Sequence, residues 1–233
     1  MSGYGTTTPR SHFITFEGID GSGKSTQMRL LAAELRGRGF DVVTTREPGG
    51  TPLGTRLRSL LLDTETVVDP LAELLLYAAD RAQHVRTLIQ PALAANKIVL
   101  SDRYADATIA YQGAGRALDP ELIRQVVELA TGGLMPDLTL LFDLDVSEGH
   151  ARRAHRRERA QMEGHGGDRL DNETTEFHTR VQAAYTAIAR RAPRRVSVID
   201  ARLPIEEIHP RVMEIVLSVI EAEQVEGQKT DHG

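Results

Sequence analysis

Short apolar runs alternate along this chain with longer amphipathic stretches. Strand-like runs fall at 13–17, 41–45, 97–101, 138–143 and 195–199, and each is followed by a stretch of helix length. Such alternation predicts a mainly parallel sheet covered on both faces, an α/β doubly wound sandwich. Five strands are expected, with ligands at their carboxyl ends. From Pro70 to Ala95, the residues Leu71, Leu74, Leu75, Ala78, Ala82, Val85 and Ile89 recur with helical spacing, which predicts the longest helix of the chain. One segment breaks the rhythm. Residues 160–168, Ala-Gln-Met-Glu-Gly-His-Gly-Gly-Asp, follow an arginine cluster and read as part of a mobile flap over about 152–169. Residues 1–11 lack the apolar core of a signal peptide and read as a loose leader. A single domain is expected over 12–222, with a polar tail at 223–233 that frays.

Composition narrows the function classes. The hydrophobic fraction of 40% supports a buried core, and with 4% aromatic residues and no Trp that core is built from Leu, Val, Ile and Ala. Cysteine is absent, which excludes a disulfide framework, a thiolate zinc site and a cysteine nucleophile. No apolar run reaches the ~18 residues a membrane helix needs, so no membrane partner is expected and the cytoplasm is the expected location. A net charge of −5 argues against a nucleic-acid partner.

The chemistry starts at residues 13–26, Phe-Ile-Thr-Phe-Glu-Gly-Ile-Asp-Gly-Ser-Gly-Lys-Ser-Thr. Gly18, Gly23, Lys24 and Ser25 fill the pattern G-x-x-x-x-G-K-[ST], and Met28, Leu30, Leu31 and Leu35 start a helix behind it. Backbone N–H groups of Gly18, Ile19, Asp20, Gly21, Ser22, Gly23, Lys24, Ser25 and Thr26 are therefore expected around the phosphates of ATP. Lys24 would reach the outer phosphates and Ser25 would hold Mg2+. The run Val99-Leu100-Ser101-Asp102-Arg103-Tyr104 ends a strand on a carboxylate, so Asp102 is a second candidate for the metal. Arg103 beside it offers a planar double donor to phosphate oxygens.

Four further features are compatible with a nucleotide and also with ordinary structure when each is taken alone. Thr45-Arg46-Glu47-Pro48-Gly49-Gly50-Thr51 follows the second strand and is also a rigid turn. Tyr77 and Arg81 lie four residues apart, as a base-and-phosphate clamp or as a core Tyr beside a solvated Arg. Thr108, Tyr111 and Gln112 share a face if that segment is helical, and a Gln amide can pair with a pyrimidine edge. Arg152, Arg156 and Arg159 form one helical stripe, and Arg153 and Arg157 a neighbouring one. That cluster is either a solvated face or a set of cations closing over a transferred phosphoryl group.

Together the segments Phe-Glu-Gly-Ile-Asp-Gly-Ser-Gly-Lys-Ser-Thr, Thr-Arg-Glu-Pro-Gly-Gly-Thr, Ser-Asp-Arg-Tyr, Ala-Tyr-Gln-Gly and Asp-Arg-Leu-Asp resemble bacterial thymidylate kinases. The resemblance runs from about Phe13 to Val216. It implies a P-loop nucleoside monophosphate kinase fold with a flexible lid, and transfer of the γ-phosphate of ATP to dTMP. It implies that Asp20 contacts the acceptor's sugar and phosphate region and that Glu47 and Pro48 form the loop beside it. Arg58, Arg81 and Arg103 would line the monophosphate pocket. Tyr77 would stack on thymine, where Phe is more usual, Thr108 and Gln112 would touch the base, and Tyr111 would discourage a ribose 2′-hydroxyl. Asp200-Ala201 resembles the adenine-side turn. Some relatives carry the catalytic arginine in the phosphate loop; Gly21 stands there here, so Arg152 and Arg156, assisted by Arg169, are expected to supply the cation. The resemblance also implies a homodimer. The nearest rival is another nucleoside or nucleotide kinase of the same fold. A nucleotide-hydrolysing switch is a second, although the guanine-reading Asn-Lys-x-Asp is missing: Asn96-Lys97 is followed by Ile-Val.

Overall fold

Five parallel strands form one sheet in the order β2-β3-β1-β4-β5, with β1 His12–Glu17, β2 Val42–Arg46, β3 Ile98–Asp102, β4 Leu138–Asp143 and β5 Val196–Asp200. The computed structural model describes residues 11–152, 154 and 169–230, except for the side chains of Asp171 and residues 222–230. All five expected strands are present, displaced by at most one residue at either end. Central strands buried on both faces read as continuous apolar runs, which is why they are visible in the sequence. Successive residues of β1 point to opposite faces. Ile14 and Phe16 join the core formed with Leu31, Leu35, Val181 and Val212, while Phe13 joins the core formed with Leu74, Val99 and Ile123.

Helices α1 Lys24–Gly37, α2 Pro52–Leu62, α3 Pro70–His84, α4 Gln90–Ala94, α5 Ala105–Thr108, α6 Pro120–Thr131, α7 (146–152), α8 Thr175–Arg191 and α9 Ile205–Thr230 cover the two faces. Three starts use the same chemistry. Thr51, Asp69 and Asp119 each accept a hydrogen bond from the first turn, and a proline follows each of them at the first helical position.

Two expectations need correction. The stretch 70–94 is helical, but a π-helical turn at Val85–Ile89 divides it just before Pro91, whose ring nitrogen cannot donate to the preceding turn. The longest helix is instead α9, with 26 residues. Its bounds, Ile205–Thr230, take in part of the polar stretch from 223.

Strand β1 pairs with β3 on one side and β4 on the other, so the order reverses around it. The loops after β1, β2 and β3 therefore emerge together at the carboxyl edge. Arg46 and Phe16 are both in register with Asp102. An open α/β sheet holds its ligand at such a reversal.

Candidate active site

The loop after β1 bends through Gly18 at φ 130° and Gly23 at φ 90°, where α1 begins. A Cβ at Gly18 would run into the backbone carbonyl of Phe142, so only glycine fits. Beyond the bend lies an open cavity of about 1060 Å³ lined by Asp20, Gly21, Gly23, Lys24, Ser25, Thr26, Arg46, Glu47, Arg58, Asp102, Arg103 and Arg152. The unpaired amides of a helix start face an anion well. Gly18, Ile19 and Ser22 support the loop from behind. Lys24 Nζ donates to the carbonyls of Gly18 (3.0 Å) and Ile19 (2.9 Å), and it lies 3.5 Å from Ser22 Oγ. Burial pushes the Lys24 ammonium below its ordinary range, aided by the Arg103 cation, while Asp20 and Asp102 oppose the change. An anion entering the cavity would add counter-charge beside this lysine.

Ser25 Oγ donates to Asp102 Oδ2 at 2.7 Å. These two hard oxygens stand at the mouth of the phosphate cavity. No group of three or more His, Cys, Asp or Glu that could hold a metal occurs among the described residues. The pair fits an ion held by one or two protein oxygens together with phosphates.

A second cavity of about 530 Å³ adjoins the first. Asp20, Glu47, Pro48, Arg58, Tyr77, Arg81, Arg103, Thr108, Tyr111 and Gln112 line it, with Leu62, Ala107 and Leu170. The ten residues expected around the acceptor thus surround one space. Tyr77 and Arg81 lie on the same face of α3. Thr108 ends α5, whereas Tyr111 and Gln112 sit in the π-helical segment Ile109–Gly115 that continues it. Wider turns of this kind recur where a helix serves a ligand. Arg81 is 2% exposed, and its guanidinium donates to Glu47 Oε2 (2.8 Å), Thr108 Oγ1 (2.8 Å) and the Tyr104 carbonyl (2.9 Å). It braces the wall instead of standing free for a phosphate. Glu47 also meets His84 Nδ1 at 2.8 Å, which fixes the loop after β2 on α3.

Asp20, Glu47, Arg58 and Arg103 line both cavities. Arg103 is the hinge of the arrangement. Its backbone adopts φ 73°, a left-handed conformation that a non-glycine residue holds only when its surroundings impose it. The guanidinium donates to Asp20 Oδ1 (2.8 Å), the Tyr111 hydroxyl (3.1 Å) and the Tyr185 hydroxyl (3.3 Å), with its carbon 4.7 Å from the Tyr111 ring centre. Burial lowers its pKa, but Asp20 and the tyrosines more than compensate, so it stays a cation.

Glu17 lies behind Arg103 with no exposure at all. Oε1 accepts from the Tyr104 amide (2.8 Å) and Oε2 from the Tyr185 hydroxyl (2.7 Å). Burial first, and then the Asp106 charge, push its carboxyl up from an ordinary 4.5 to about 7. The native state therefore keeps a proton that the unfolded chain releases above pH 4.5. The resulting stability is complete below that value and is lost as pH rises through about 7. Glu17→Gln keeps the bond from the Tyr104 amide through its carbonyl and replaces the bond from Tyr185 with one in the opposite direction, its amide nitrogen donating to the hydroxyl oxygen. It should hold its stability across that window, gaining on the order of 3 kcal/mol over the parent between about pH 5 and pH 8. Urea unfolding of both proteins at the two pH values checks this, and parallel pH profiles refute it.

Arg152 lines the phosphate cavity, and its guanidinium donates to the Ala201 carbonyl at 2.9 Å, at the turn expected on the adenine side. Arg156 and nearly all of the expected flap lie outside the described residues. Arg169 is bonded to Glu73 and to the Leu61 carbonyl. The sequence reading missed Arg46, Glu17, Tyr185 and Glu73. Arg46 sits inside a segment already singled out, and Glu17 ends its strand on a carboxylate as Asp102 does. Tyr185 and Glu73 carry no local signal.

The family profile described as thymidylate kinase matches residues 16–212. A thymidylate kinase of Halothermothrix orenii is 50% identical over 203 residues, covering 87% of this chain and 95% of that protein. One of Desulfovibrio desulfuricans is 52% identical over 197 residues, covering 84% and 90%. The crystal structure of thymidylate kinase from Ehrlichia chaffeensis superposes with a TM-score of 0.68 at 38% identity, over 89% of this chain and 99% of that one. With two adjoining cavities at the sheet reversal, the larger lined by the glycine-rich loop, this chain belongs to the thymidylate kinase family.

Proposed function

We propose that this protein transfers the γ-phosphate of ATP to dTMP, giving dTDP and ADP. The observation that carries the reading is the shared wall. Asp20, Glu47, Arg58 and Arg103 separate a polar cavity at the phosphate loop from a smaller one lined by Tyr77, Tyr111 and Gln112. ATP phosphates suit the first and a monophosphate with a flat base suits the second. A non-bridging oxygen of the dTMP phosphate attacks the γ-phosphorus, and the bond from that phosphorus to the β,γ-bridging oxygen breaks as ADP leaves. The attacking oxygen is already anionic, so no strong general base is required; alignment and charge neutralisation carry the step. Lys24, Arg58, Arg103 and Arg152, which all line the larger cavity, supply positive charge, and Asp20 orients Arg103. Ser25 and Asp102 would hold Mg2+, which when bound neutralises phosphate charge.

A homodimer accompanies this reading, and the exposed leucines Leu53 and Leu60 of α2 and Leu71 and Leu75 of α3 are apolar surface that such a contact would cover. No helix among the described residues is long and apolar enough to cross a membrane, and the cytoplasm holds both proposed substrates.

The test is an ADP-release assay with magnesium, ATP and a panel of monophosphates. Turnover should be fastest with dTMP, followed by dUMP, and AMP and CMP should be poor acceptors. Equal use of all four would point to a general monophosphate kinase. ADP release that ignores the acceptor would point to a hydrolysing switch.

A further inference from the structure

Among the described residues Glu73 is a heavily bonded carboxylate outside the groups proposed to act in the transfer. It stands on α3, one turn before Tyr77, with no exposure. Its Oε2 accepts from Arg116 (3.0 Å) and Arg169 (2.7 Å), and its Oε1 accepts from Gln112 Nε2 (2.7 Å) and Arg116 Nε (3.3 Å). Burial alone would raise its pKa, but donors from Arg116, Gln112 and Arg169 outweigh burial and hold the carboxyl below its ordinary range. An ionised carboxylate only accepts, so it can bond Gln112 through the amide nitrogen and never through the amide oxygen. Gln112 therefore has one allowed orientation. Its nitrogen is turned to Glu73, and its Oε1 accepts no hydrogen bond from any described residue. Gln112 also lines the acceptor cavity.

We infer that Glu73 sets which base the acceptor cavity takes, by pinning the Gln112 amide so that only its carbonyl is presented. A free glutamine is indifferent, because rotating the amide exchanges donor for acceptor. A pinned one reads a single pattern. Its carbonyl takes the ring N3–H of thymine or uracil and meets the N3 lone pair of cytosine with repulsion, leaving two acceptors unpaired. Glu73 touches no substrate and acts as a positioning residue. Arg116 and Arg169 in turn keep it charged. This inference rests on the reading of the cavity as a pyrimidine monophosphate site.

The experiment compares kcat/KM for dTMP, dUMP and dCMP, with ATP and magnesium, in the parent, Glu73→Gln and Arg116→Gln. Glutamine at position 73 can donate or accept, so it frees the Gln112 amide to turn. The ratio of dTMP to dCMP should fall about tenfold in Glu73→Gln, while the ratio of dTMP to dUMP stays unchanged because both carry the N3–H. Arg116→Gln keeps the bond between Glu73 and Gln112, so it should keep the parent's dTMP-to-dCMP ratio even if all rates fall. Unaltered discrimination in Glu73→Gln overturns the inference and leaves the kinase reading intact. A parent that does not favour dTMP defeats the kinase reading itself. The parent alone gives a second measurement, independent of whether the variant folds. The Gln112 side-chain amide, assigned in the NMR spectrum by its loss in Gln112→Ala, should show one proton shifted downfield by the carboxylate. Two ordinary, freely exchanging amide protons would refute the pinning.

Discussion

Replacing Lys24 by alanine should lower the turnover of dTMP and ATP by at least ~10³-fold while the fold survives. The structure explains both halves. The ammonium is held at the floor of the phosphate cavity by two loop carbonyls, ready to exchange them for phosphate oxygens. In that cavity a cation facing developing charge is worth far more than in water. The cost to stability is small by comparison. Burial disfavours the charged lysine, so its removal loses two hydrogen bonds and also relieves a desolvation penalty. Strands β1, β3 and β4 beneath it do not depend on the side chain. Steady-state rates, circular dichroism and a thermal melt separate the two effects. Near-normal turnover would remove Lys24 from the chemistry, and a collapsed spectrum would recast it as a structural residue.

Arg103→Ala should be almost as damaging, with kcat/KM for dTMP falling by about 10³. The guanidinium is shared by the two cavities and tied to Asp20, Tyr111 and Tyr185, so in the proposed reaction it would position the acceptor and neutralise the bridging charge together. Alanine faces the same backbone strain at φ 73° as arginine does, so the change in stability reports only lost contacts. Arg103→Lys should recover little. A lysine keeps the charge but cannot reproduce a planar fork that holds three partners at once. Titrating dTMP at saturating ATP, then ATP at saturating dTMP, measures the effect on each side. A loss of less than tenfold on both sides would show that Arg58 and Arg152 suffice without it.

Much of this site could be read before any coordinates. The strands announce themselves because a parallel strand covered on both faces must be apolar throughout, as in Ile98-Val99-Leu100. The phosphate loop is legible because its glycines answer local backbone demands. The residues proposed for the acceptor could be named only through resemblance. Taken alone, Tyr77 and Arg81 fit an ordinary amphipathic helix, and only folding brings them opposite Thr108 and Gln112. What stayed hidden was the support. Glu17 and Tyr185 are 168 positions apart, yet they share a hydrogen bond behind Arg103. Glu73 reads as one polar residue among the leucines of α3, and nothing within the helix shows that Gln112, Arg116 and Arg169 converge on it. The commitment of Arg81 to Glu47 is hidden for the same reason, since their ion pair is made by the packing of one loop on one helix. Sequence patterns report a residue's neighbours along the chain, whereas these groups are defined by neighbours across it.

The four side chains common to both cavities also bear on how such an enzyme can evolve. Asp20, Glu47, Arg58 and Arg103 form a partition that works for two tenants. A change there made to suit a new acceptor would also disturb the donor, so selection for altered pyrimidine analogues has little room to act on it. Adaptation is left to lining residues outside the partition, such as Tyr77, where a substitution would reshape the smaller room without altering the four shared side chains.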